Sequence, residues 1–389
     1  MLPDIFNSDK QYIAGTYARF PLNLVSGKGS LVYDEKGKEY IDLATGIAVN
    51  TFGFCDSEWT DAVTRQLSTL QHASNLYYTS PCVELAKELC TRTGMSKVFF
   101  GNSGAEANEC AIKAARKYAF ENKGPDCYKI ITLKNSFHGR TITTLAATGQ
   151  DVFHTKFLPL TEGFIYVEAN NVSALYEAAS SPDVAAIMFE VVQGEGGVNP
   201  MSVDFAKALT DISEKNDILL IADEVQTGNG RTGELYGYMN YSLKPHIVST
   251  AKGLGGGLPI GATLLCEKLA SVFEYGDHGS TFGANPVCCA GALNIISRID
   301  SSLLEGVRKK SELIRSTLKN TEGIKSVSGL GLMLGIECDA DASSVVSRCM
   351  EQGVLVIKAK HKVRLLPALN IPDDLLIKAL EVIKNACKS

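Results

Sequence analysis

The stretches ILLIADEVQ at positions 218–226 and IVSTAKGLGGG at positions 247–257 decide the fold. Ile218–Ala222 and Ile247–Thr250 are short aliphatic or β-branched runs, typical of buried strands, and each is followed by a residue that can carry chemistry, Asp223 or Lys252. Comparable runs alternate with helical patterns earlier in the chain. The strand-like runs are Val98–Phe100, Lys129–Leu133 and Ala185–Val191, and the helix-like ones are Ala105–Phe120, Gly139–Ala147 and Asp204–Asn216. This alternation predicts an α/β fold with a doubly wound, mostly parallel sheet.

The pattern changes after about Pro286. Amphipathic helical segments, Ser302–Lys319 and Asp373–Cys387, now accompany short strand patterns at Val354–Ile357 and Val363–Leu366. We therefore predict a large domain over residues 51–287 and a small α+β domain over residues 288–389. Residues 1–50, which read as strands and turns, are expected to pack on the small domain.

Bulk composition restricts the class of partner. The 389 residues are 45% hydrophobic and 21% charged with a net charge of −5, which disfavours a nucleic-acid surface. No apolar run approaches the ~20 residues needed to span a bilayer, and Met1–Lys10 lacks the apolar core of a signal peptide. The eleven cysteines are scattered without metal-ligand spacing, as expected for reduced core residues. A cytoplasmic protein that binds small molecules, without metal, membrane or nucleic acid, fits these features.

Three features at predicted strand ends are individually ambiguous. Asp223 could be a helix cap or a structural ion pair, and the loop after Lys252 could be a flexible turn or a phosphate loop. Asn102–Ala107 could be a capped helix start with Ser103 as the cap, or an anion site at a helix N-terminus. Together they match the needs of pyridoxal phosphate: a lysine to form a Schiff base, a carboxylate for the pyridine nitrogen and a phosphate site.

A set of short motifs carries a resemblance to a known family. In chain order they are YARFPL at 17–22, SNLYY at 74–78, GNSGAEAN at 101–108, FHGRT at 137–141, QGEGG at 193–197, DEVQTG at 223–228, STFG at 280–283 and RLLP at 364–367. Their order and spacing resemble the class III, ornithine-type, pyridoxal-phosphate aminotransferases. The resemblance implies fold type I and pyridoxal 5′-phosphate as cofactor.

The resemblance also implies cofactor-binding roles and a homodimer with shared active sites. The implied contacts are Ser103, Gly104 and Ala105 with the phosphate, Phe137 and Val225 with the two ring faces, Asp223 with the ring nitrogen, Gln226 with the phenolic oxygen, Lys252 with the aldehyde carbon, and Thr281 with the phosphate in the neighbouring subunit. Lys252 and Asp223 are thus the expected catalytic residues.

On the substrate side, the resemblance implies transfer of the terminal amino group of N2-acetylornithine to 2-oxoglutarate, giving N-acetylglutamate 5-semialdehyde and glutamate, as in arginine biosynthesis. Arg140 would hold the α-carboxylate of the amine substrate, and Arg364 would hold 2-oxoglutarate, with Glu195 masking Arg364 while the amine is bound. Tyr17 and Ser280 would also contact substrate.

Several readings stay open from the sequence. One alternative is the same chemistry on another amine: ornithine, 4-aminobutyrate or succinyl-diaminopimelate. The others are an aminomutase-type reaction and a non-catalytic protein that binds a phosphate ligand. The chain also departs from the family pattern in three places. Gly53-Phe54-Cys55-Asp56-Ser57 stands where Gly-His-x-His-Pro is usual, Ser328 replaces a common arginine, and Ala368 replaces a proline. None of these positions belongs to the implied catalytic set.

Overall fold

The computed structural model describes residues 4–388. Its helices are α1 (Ile5–Tyr12), α2 (Thr45–Ala48), α3 (Ser57–Leu67), α4 (Ser80–Thr93), α5 (Gly104–Lys123), α6 (Ile142–Ala147), α7 (Val172–Ala179), α8 (Val203–Asn216), α9 (Pro286–Arg298), α10 (Ser301–Leu318), α11 (Ala342–Glu351) and α12 (Asp373–Cys387). Its strands are β1 (Leu24–Lys28), β2 (Leu31–Asp34), β3 (Glu39–Asp42), β4 (Lys97–Gly101), β5 (Lys129–Leu133), β6 (Phe164–Val167), β7 (Val184–Phe189), β8 (Val192–Gln193), β9 (Asn199–Pro200), β10 (Leu219–Asp223), β11 (Ile247–Thr250), β12 (Gly261–Leu265), β13 (Ile324–Leu330), β14 (Met333–Cys338), β15 (Val354–Leu355), β16 (Ile357–Ala359) and β17 (Lys362–Leu365).

A seven-stranded sheet in the order β4-β12-β11-β10-β7-β5-β6 forms the centre of the molecule. All its strands are parallel except β12, which runs antiparallel to both of its neighbours. The position of strand β10 explains why its sequence is continuously apolar. Leu220 and Ala222 enter the core on one face of the sheet, whereas Leu219 and Ile221 enter the core on the other face. Helices cover both faces, so alternate residues are buried in both directions and the predicted α/β class is confirmed.

The sequence patterns located the strands of this sheet and the helices between them, but the predicted start of one helix is wrong. β5 and β11 have the predicted bounds, but the helix predicted from Gly139 begins only at Ile142. Thr141 caps α6, since its side chain pairs with that of Thr144. Residues 134–141 are therefore an irregular loop, and this loop places Phe137, His138 and Arg140 at the cavity described below.

The remaining strands form two smaller sheets. One has the order β1-β2-β3-β15, and the other has the order β13-β14-β17-β16. The single strand expected over Val354–Ile357 is divided between them, because β15 pairs with β3 while β16 pairs with β17. Ile41 and Leu43 pack in one core with the buried residues of α10, α11 and α12. An N-terminal strand thus shares a sheet and a core with C-terminal elements.

The packing of helix α9 indicates where the large domain ends. Cys289, Ile296 and Ile299 belong to the core of the large sheet, whereas Val307 and Ile314 of α10 belong to the second core. The predicted segments 1–50, 51–287 and 288–389 stay a prediction, and their terminal residues 1–3 and 389 lie outside the described residues. We propose that the large unit continues through Ile299.

All eleven cysteines are free in the described structure, and seven of them are buried. Within residues 4–388, no single helix is long and apolar enough to cross a membrane. Helices α9 and α10 reach that length and composition only as a pair, which is bent by 74° at their junction.

Candidate active site

A cavity of about 470 Å³ lies where β10 and β11 end and α5 begins. Its size falls within the range of small-molecule sites, roughly 300–1,000 Å³. The lining residues are Val49, Asn102, Ser103, Gly104, Ala105, Asn108, Phe137, His138, Gly139, Arg140, Glu190, Asp223, Val225, Gln226, Ala251, Lys252, Gly257, Leu258, Pro259 and Ile260. Nine of the fourteen residues expected at the site are in this set. The cavity sits at the carboxyl ends of the parallel strands, where such sheets bind ligands.

Asp223 ends β10 and is only 4% exposed. Its Oδ2 accepts hydrogen bonds from Asn108 Nδ2 at 2.8 Å and pairs with His138 Nδ1 at 2.7 Å. Its Oδ1 accepts from the Val225 N–H at 3.0 Å. Burial lowers the pKa of His138, but the Asp223 carboxylate outweighs burial and holds this pKa above its ordinary value. The arrangement fixes a buried carboxylate beside a histidine that favours its charged form.

The start of α5 forms the opposite end of the cavity. Ser103 caps the 20-residue helix by accepting the Glu106 N–H, and Glu106 Oε2 accepts in return from the Asn102 N–H at 3.0 Å. These reciprocal bonds across the helix start fix its first turn. A Cβ built on Gly104 would lie 2.7 Å from Val225 Cγ1, so only glycine lets the helix start approach that side chain. The free N–H groups of this turn suit an anion.

Lys252 lies two residues after Thr250, the last residue of β11, and lines the same cavity. Its φ of 44° is unusual for a residue with a side chain, and such conformations persist where the surrounding structure imposes them. Burial lowers the pKa of the Lys252 ammonium and Arg364 lowers it further, while Glu195 and Asp223 oppose both. A lowered pKa increases the fraction of free amine, which is the form that acts as nucleophile and base.

Arg364 and Glu195 form an ion pair beside this lysine. Arg364 Nη1 donates to Glu195 Oε1 at 2.6 Å and to Gln226 Oε1 at 3.1 Å. The Arg364 side chain is 3% exposed and that of Glu195 is 33% exposed. Burial raises the pKa of Glu195, but Arg364 outweighs burial and holds this pKa below its ordinary value. The glutamate therefore covers a buried guanidinium from the accessible side.

Arg140 lies between two aromatic rings. Its guanidinium carbon is 5.2 Å from the centroid of Phe137 and 3.9 Å from that of Phe153, both within the range of cation–π attraction. Phe153 was not expected from the sequence. The two rings orient an otherwise exposed arginine at the cavity, where it can bind a carboxylate.

Five expected residues lie outside the cavity lining of the single chain: Glu195 and Arg364, which adjoin it through Gln226, and Tyr17, Ser280 and Thr281. Tyr17 is 72% exposed, and Thr281 is also exposed. Ser280 Oγ accepts from Asn102 Nδ2 at 3.0 Å, so this residue contacts the edge of the anion end. The contribution of these residues, which the resemblance assigned in part to a neighbouring subunit, stays a prediction.

The sequence of the chain matches the family model described as Aminotransferase class-III over residues 12–387. The chain belongs to the class-III aminotransferases. It is 49% identical over 377 residues to the acetylornithine aminotransferase of Haemophilus ducreyi, with 96% of each chain covered. Its fold matches an N-acetylornithine aminotransferase structure from Stenotrophomonas maltophilia with a TM-score of 0.85 and 34% identity, covering 98% of both chains.

A further class-III match is an ornithine aminotransferase structure from Toxoplasma gondii, described with partial occupancy of pyridoxal phosphate at the active site. The TM-score is 0.94 with 32% identity, covering 100% of this chain and 94% of that chain. The chain is thus a class-III aminotransferase with the pyridoxal-phosphate enzyme fold, and the enzyme class and cofactor inferred from its motifs are confirmed.

The residues of the cavity fit pyridoxal phosphate on structural grounds. The Asp223 carboxylate can accept about four hydrogen bonds, so its three partners leave room for a pyridinium N–H. Phe137 and Val225 both line the cavity, as two faces of a bound ring require. The N-terminus of α5 and the lysine complete the set of acceptor, anion site and amine.

Sequence reasoning missed three buried residues that support this site. Asn108 and His138 lay within the quoted motifs, but nothing in the sequence showed that both would contact Asp223. Glu190 was missed altogether. It follows β7, accepts the Phe137 N–H at 3.0 Å, and burial raises its pKa to about 7. Its position directly after a six-residue buried strand is the one signal that could have marked it.

Glu224, next to Asp223, leads to a pH-dependent prediction for stability. It is fully buried, and burial raises its pKa to about 7 from 4.5. Between these values the unfolded chain loses the proton while the folded protein keeps it. The free energy of unfolding should therefore fall as pH rises from about 4.5 to about 7, by about 3 kcal/mol from this group.

Urea unfolding of wild type and Glu224→Gln at pH 5 and pH 8, at one protein concentration, measures this effect. Glutamine keeps only one of the two oxygens that accept from the Gly237 and Tyr238 N–H groups, so the variant loses one acceptor at both pH values and the informative quantity is the pH slope. We expect a shallower decline in the variant. Asp42 and Glu190, whose pKa values burial raises to about 6 and about 7, keep part of the slope in both proteins. Identical slopes would contradict the prediction.

Proposed function

We propose that this aminotransferase moves the terminal amino group of N2-acetylornithine to 2-oxoglutarate, forming N-acetylglutamate 5-semialdehyde and glutamate. The observation that carries the proposal is the Glu195–Arg364 pair, which adjoins the cavity through Gln226 and acts on the charge of Lys252. An enzyme that accepts first a monocarboxylate amine and then a dicarboxylate needs an arginine that it can cover and uncover. The 49% identity to an acetylornithine aminotransferase supports this choice of amine.

Each residue has a proposed role toward the cofactor. Bound pyridoxal phosphate supplies the electron-withdrawing ring and carries the amino group between the two half-reactions. Lys252 would attach the cofactor and, once released as a free amine, move the proton at the substrate carbon. Asp223 would hold the ring nitrogen protonated, and the start of α5, with Ser103, Gly104 and Ala105, would bind the phosphate.

The two arginines would divide the substrates between them. Arg140 would hold the α-carboxylate of N2-acetylornithine, which leaves the terminal amine at the centre of the cavity. While this substrate is bound, Glu195 neutralises Arg364, so no second cation competes for the carboxylate. When 2-oxoglutarate enters, Glu195 would move away and Arg364 would bind the carboxylate next to the ketone.

We propose that the active enzyme is a homodimer in the cytoplasm. Leu76, Tyr77, Tyr78 and Phe282 are 61% to 100% exposed, an unusual degree for neighbouring large apolar side chains. Asn75 Nδ2 donates to the carbonyls of Ser280 and Gly283, so these two segments form one surface. A second copy on this surface would bring Thr281 toward the phosphate site of its neighbour, as the resemblance implied.

The test of the proposal is amino-group exchange by the purified holoenzyme. We expect N2-acetylornithine alone to convert the bound cofactor to its amino form, and 2-oxoglutarate to convert it back, with equimolar glutamate released. Ornithine, 4-aminobutyrate and succinyl-diaminopimelate tested in parallel define the amine preference. Conversion by one of these amines, and not by N2-acetylornithine, would contradict the substrate and leave the aminotransferase class intact.

Arg364→Leu should affect the two half-reactions unequally. Loss of a buried charge partner costs about 2–5 kcal/mol, so kcat/KM for 2-oxoglutarate should fall by about 10²- to 10³-fold. The reaction with N2-acetylornithine should fall much less, because Arg364 is covered in that step. Single-turnover kinetics of each half-reaction separate the two, and Arg308→Leu, at a half-exposed position on the same domain, is the control. Equal losses in both half-reactions would exclude the selective role.

Ornithine is the second candidate amine. The Toxoplasma gondii ornithine aminotransferase structure matches the fold with a TM-score of 0.94, higher than the 0.85 of the N-acetylornithine enzyme structure. The fold therefore does not separate the two substrates. The α-amino group separates them, since it is charged in ornithine and acylated in N2-acetylornithine, so the exchange experiment decides between them.

A further inference from the structure

Strand β17 presents two cations to the β8–β9 hairpin, and the proposed function uses only one of them. Arg364 bonds to Glu195 in the turn of the hairpin. Lys362 lies two residues earlier, and residues two apart on a strand face the same side. Its Nζ donates to Asn199 Oδ1 at 3.1 Å, on the returning strand of the hairpin. The two cations therefore hold the same hairpin at two separate points.

Ser328, one of the departures from the family pattern, extends this contact. Lys362 Nζ donates to Ser328 Oγ at 2.9 Å, and Ser328 Oγ donates to the Val198 carbonyl at 2.8 Å. Asn199 Nδ2 in turn donates to the Gly196 carbonyl at 3.0 Å. Lys362 is only 6% exposed. Directly or through Ser328 and Asn199, it is connected to Gly196, Val198 and Asn199, which follow Glu195 in the hairpin.

The same segment has an unfavourable backbone conformation. Val198 is β-branched and fully buried, yet its φ is +54°, which such residues rarely adopt. Gly335 of β14 packs directly against it, since a Cβ there would lie 2.8 Å from Val198 Cβ. A conformation of this kind costs roughly 1–3 kcal/mol and persists only where its neighbours impose it. The bonds from Ser328 and Lys362 are among the contacts that impose it.

We propose that Lys362 is a positioning residue that holds the hairpin with Glu195 on Arg364, and so sets the preference of the site between amine and dicarboxylate. This inference rests on the proposed masking of Arg364 by Glu195. Without the bonds from Lys362 to Asn199 and Ser328, the backbone of the hairpin relaxes at Val198. The state in which Glu195 covers Arg364 then becomes less stable relative to the uncovered state. A dicarboxylate then competes with Glu195 more easily, because it binds only the uncovered state.

The test measures binding of glutarate, a five-carbon dicarboxylate without a ketone that cannot exchange an amino group. Calorimetric titration of the holoenzyme should show glutarate binding about 5- to 10-fold tighter in Lys362→Met than in wild type, as expected when the covered state loses the net contribution of one hydrogen bond. In a Glu195→Gln background Arg364 is already uncovered, so Lys362→Met should add nothing. A residue that only stabilises the fold would not show this dependence on Glu195.

Two further variants make the result specific. Lys358→Met lies on the neighbouring strand β16, where its Nζ bonds to Ser343, and should leave glutarate affinity unchanged. Asn199→Ala changes an exposed residue, so it keeps the fold and should tighten glutarate in the same direction as Lys362→Met.

The outcomes separate the inference from the function on which it rests. If Glu195→Gln tightens glutarate and neither Lys362→Met nor Asn199→Ala does, the role of Lys362 is overturned and the masking of Arg364 stands. If Glu195→Gln also leaves glutarate affinity unchanged, the masking fails and the inference falls with it. Equal effects of Lys362→Met with and without Glu195 would also overturn it.

Discussion

Replacing Lys252 with alanine is expected to lower turnover by about 10²- to 10⁴-fold in each half-reaction. The residue supplies two functions at once, because its amine is both the proposed attachment point of the cofactor and the proposed proton carrier. Its position supports both, since it lies at the end of β11 in the same cavity as Asp223 and its pKa is lowered by burial. Rapid-mixing spectroscopy with N2-acetylornithine measures the rate.

The variant should still bind pyridoxal phosphate, because the phosphate site at α5 and the Asp223 contact do not involve the lysine. Mass spectrometry after borohydride reduction should find the cofactor attached to residue 252 in wild type and nowhere in the variant. Lys268→Ala, at a surface lysine paired with Asp217, is the matched control and should keep full activity. Residual turnover above about 1% of wild type would remove Lys252 from the proton-transfer role.

The sheet was predictable because its sequence signals are local. Strands such as β5 and β11 are short aliphatic runs bounded by polar residues, and their bounds could be read directly. The start of α6 could not, because residues 139–141 fit a helical pattern but are held in a loop by tertiary contacts such as that of Thr141 Oγ1 with Glu109 Oε1. The split between β15 and β16 also depends on which distant strand each one pairs with.

The active site was predictable where a residue's type and strand-end position indicated its chemistry. Asp223, Lys252 and the start of α5 were located in this way, and the resemblance added Arg364 and Glu195. Residues that act through other residues gave no such signal. His138 and Asn108 approach Asp223 from 85 and 115 residues away, and Lys362 meets Asn199 across 163 residues. Contacts of that sequence separation follow from the fold and not from any local pattern.

Asp223→Asn should lower turnover by about 10³-fold while the protein stays folded. The change keeps the shape of the side chain but removes the charge that holds the ring nitrogen protonated, and breaking a buried pair of this kind costs about 3–5 kcal/mol. Single-turnover rates with N2-acetylornithine measure the loss. Asp211→Asn, at a partly exposed aspartate paired with Lys215, is the control and should have wild-type rates.

The histidine partner gives a second and independent readout of the same change. In wild type the Asp223 carboxylate outweighs burial and keeps the pKa of His138 above its ordinary value. In Asp223→Asn only Glu190 still opposes burial, which is the largest effect on this group, so the pKa of His138 should fall below the ordinary value and its imidazole should be neutral at pH 7. An NMR titration of the His138 ring follows this directly, even without turnover. A slow variant whose His138 still titrates high would show that the charge of Asp223 does not act through this pair.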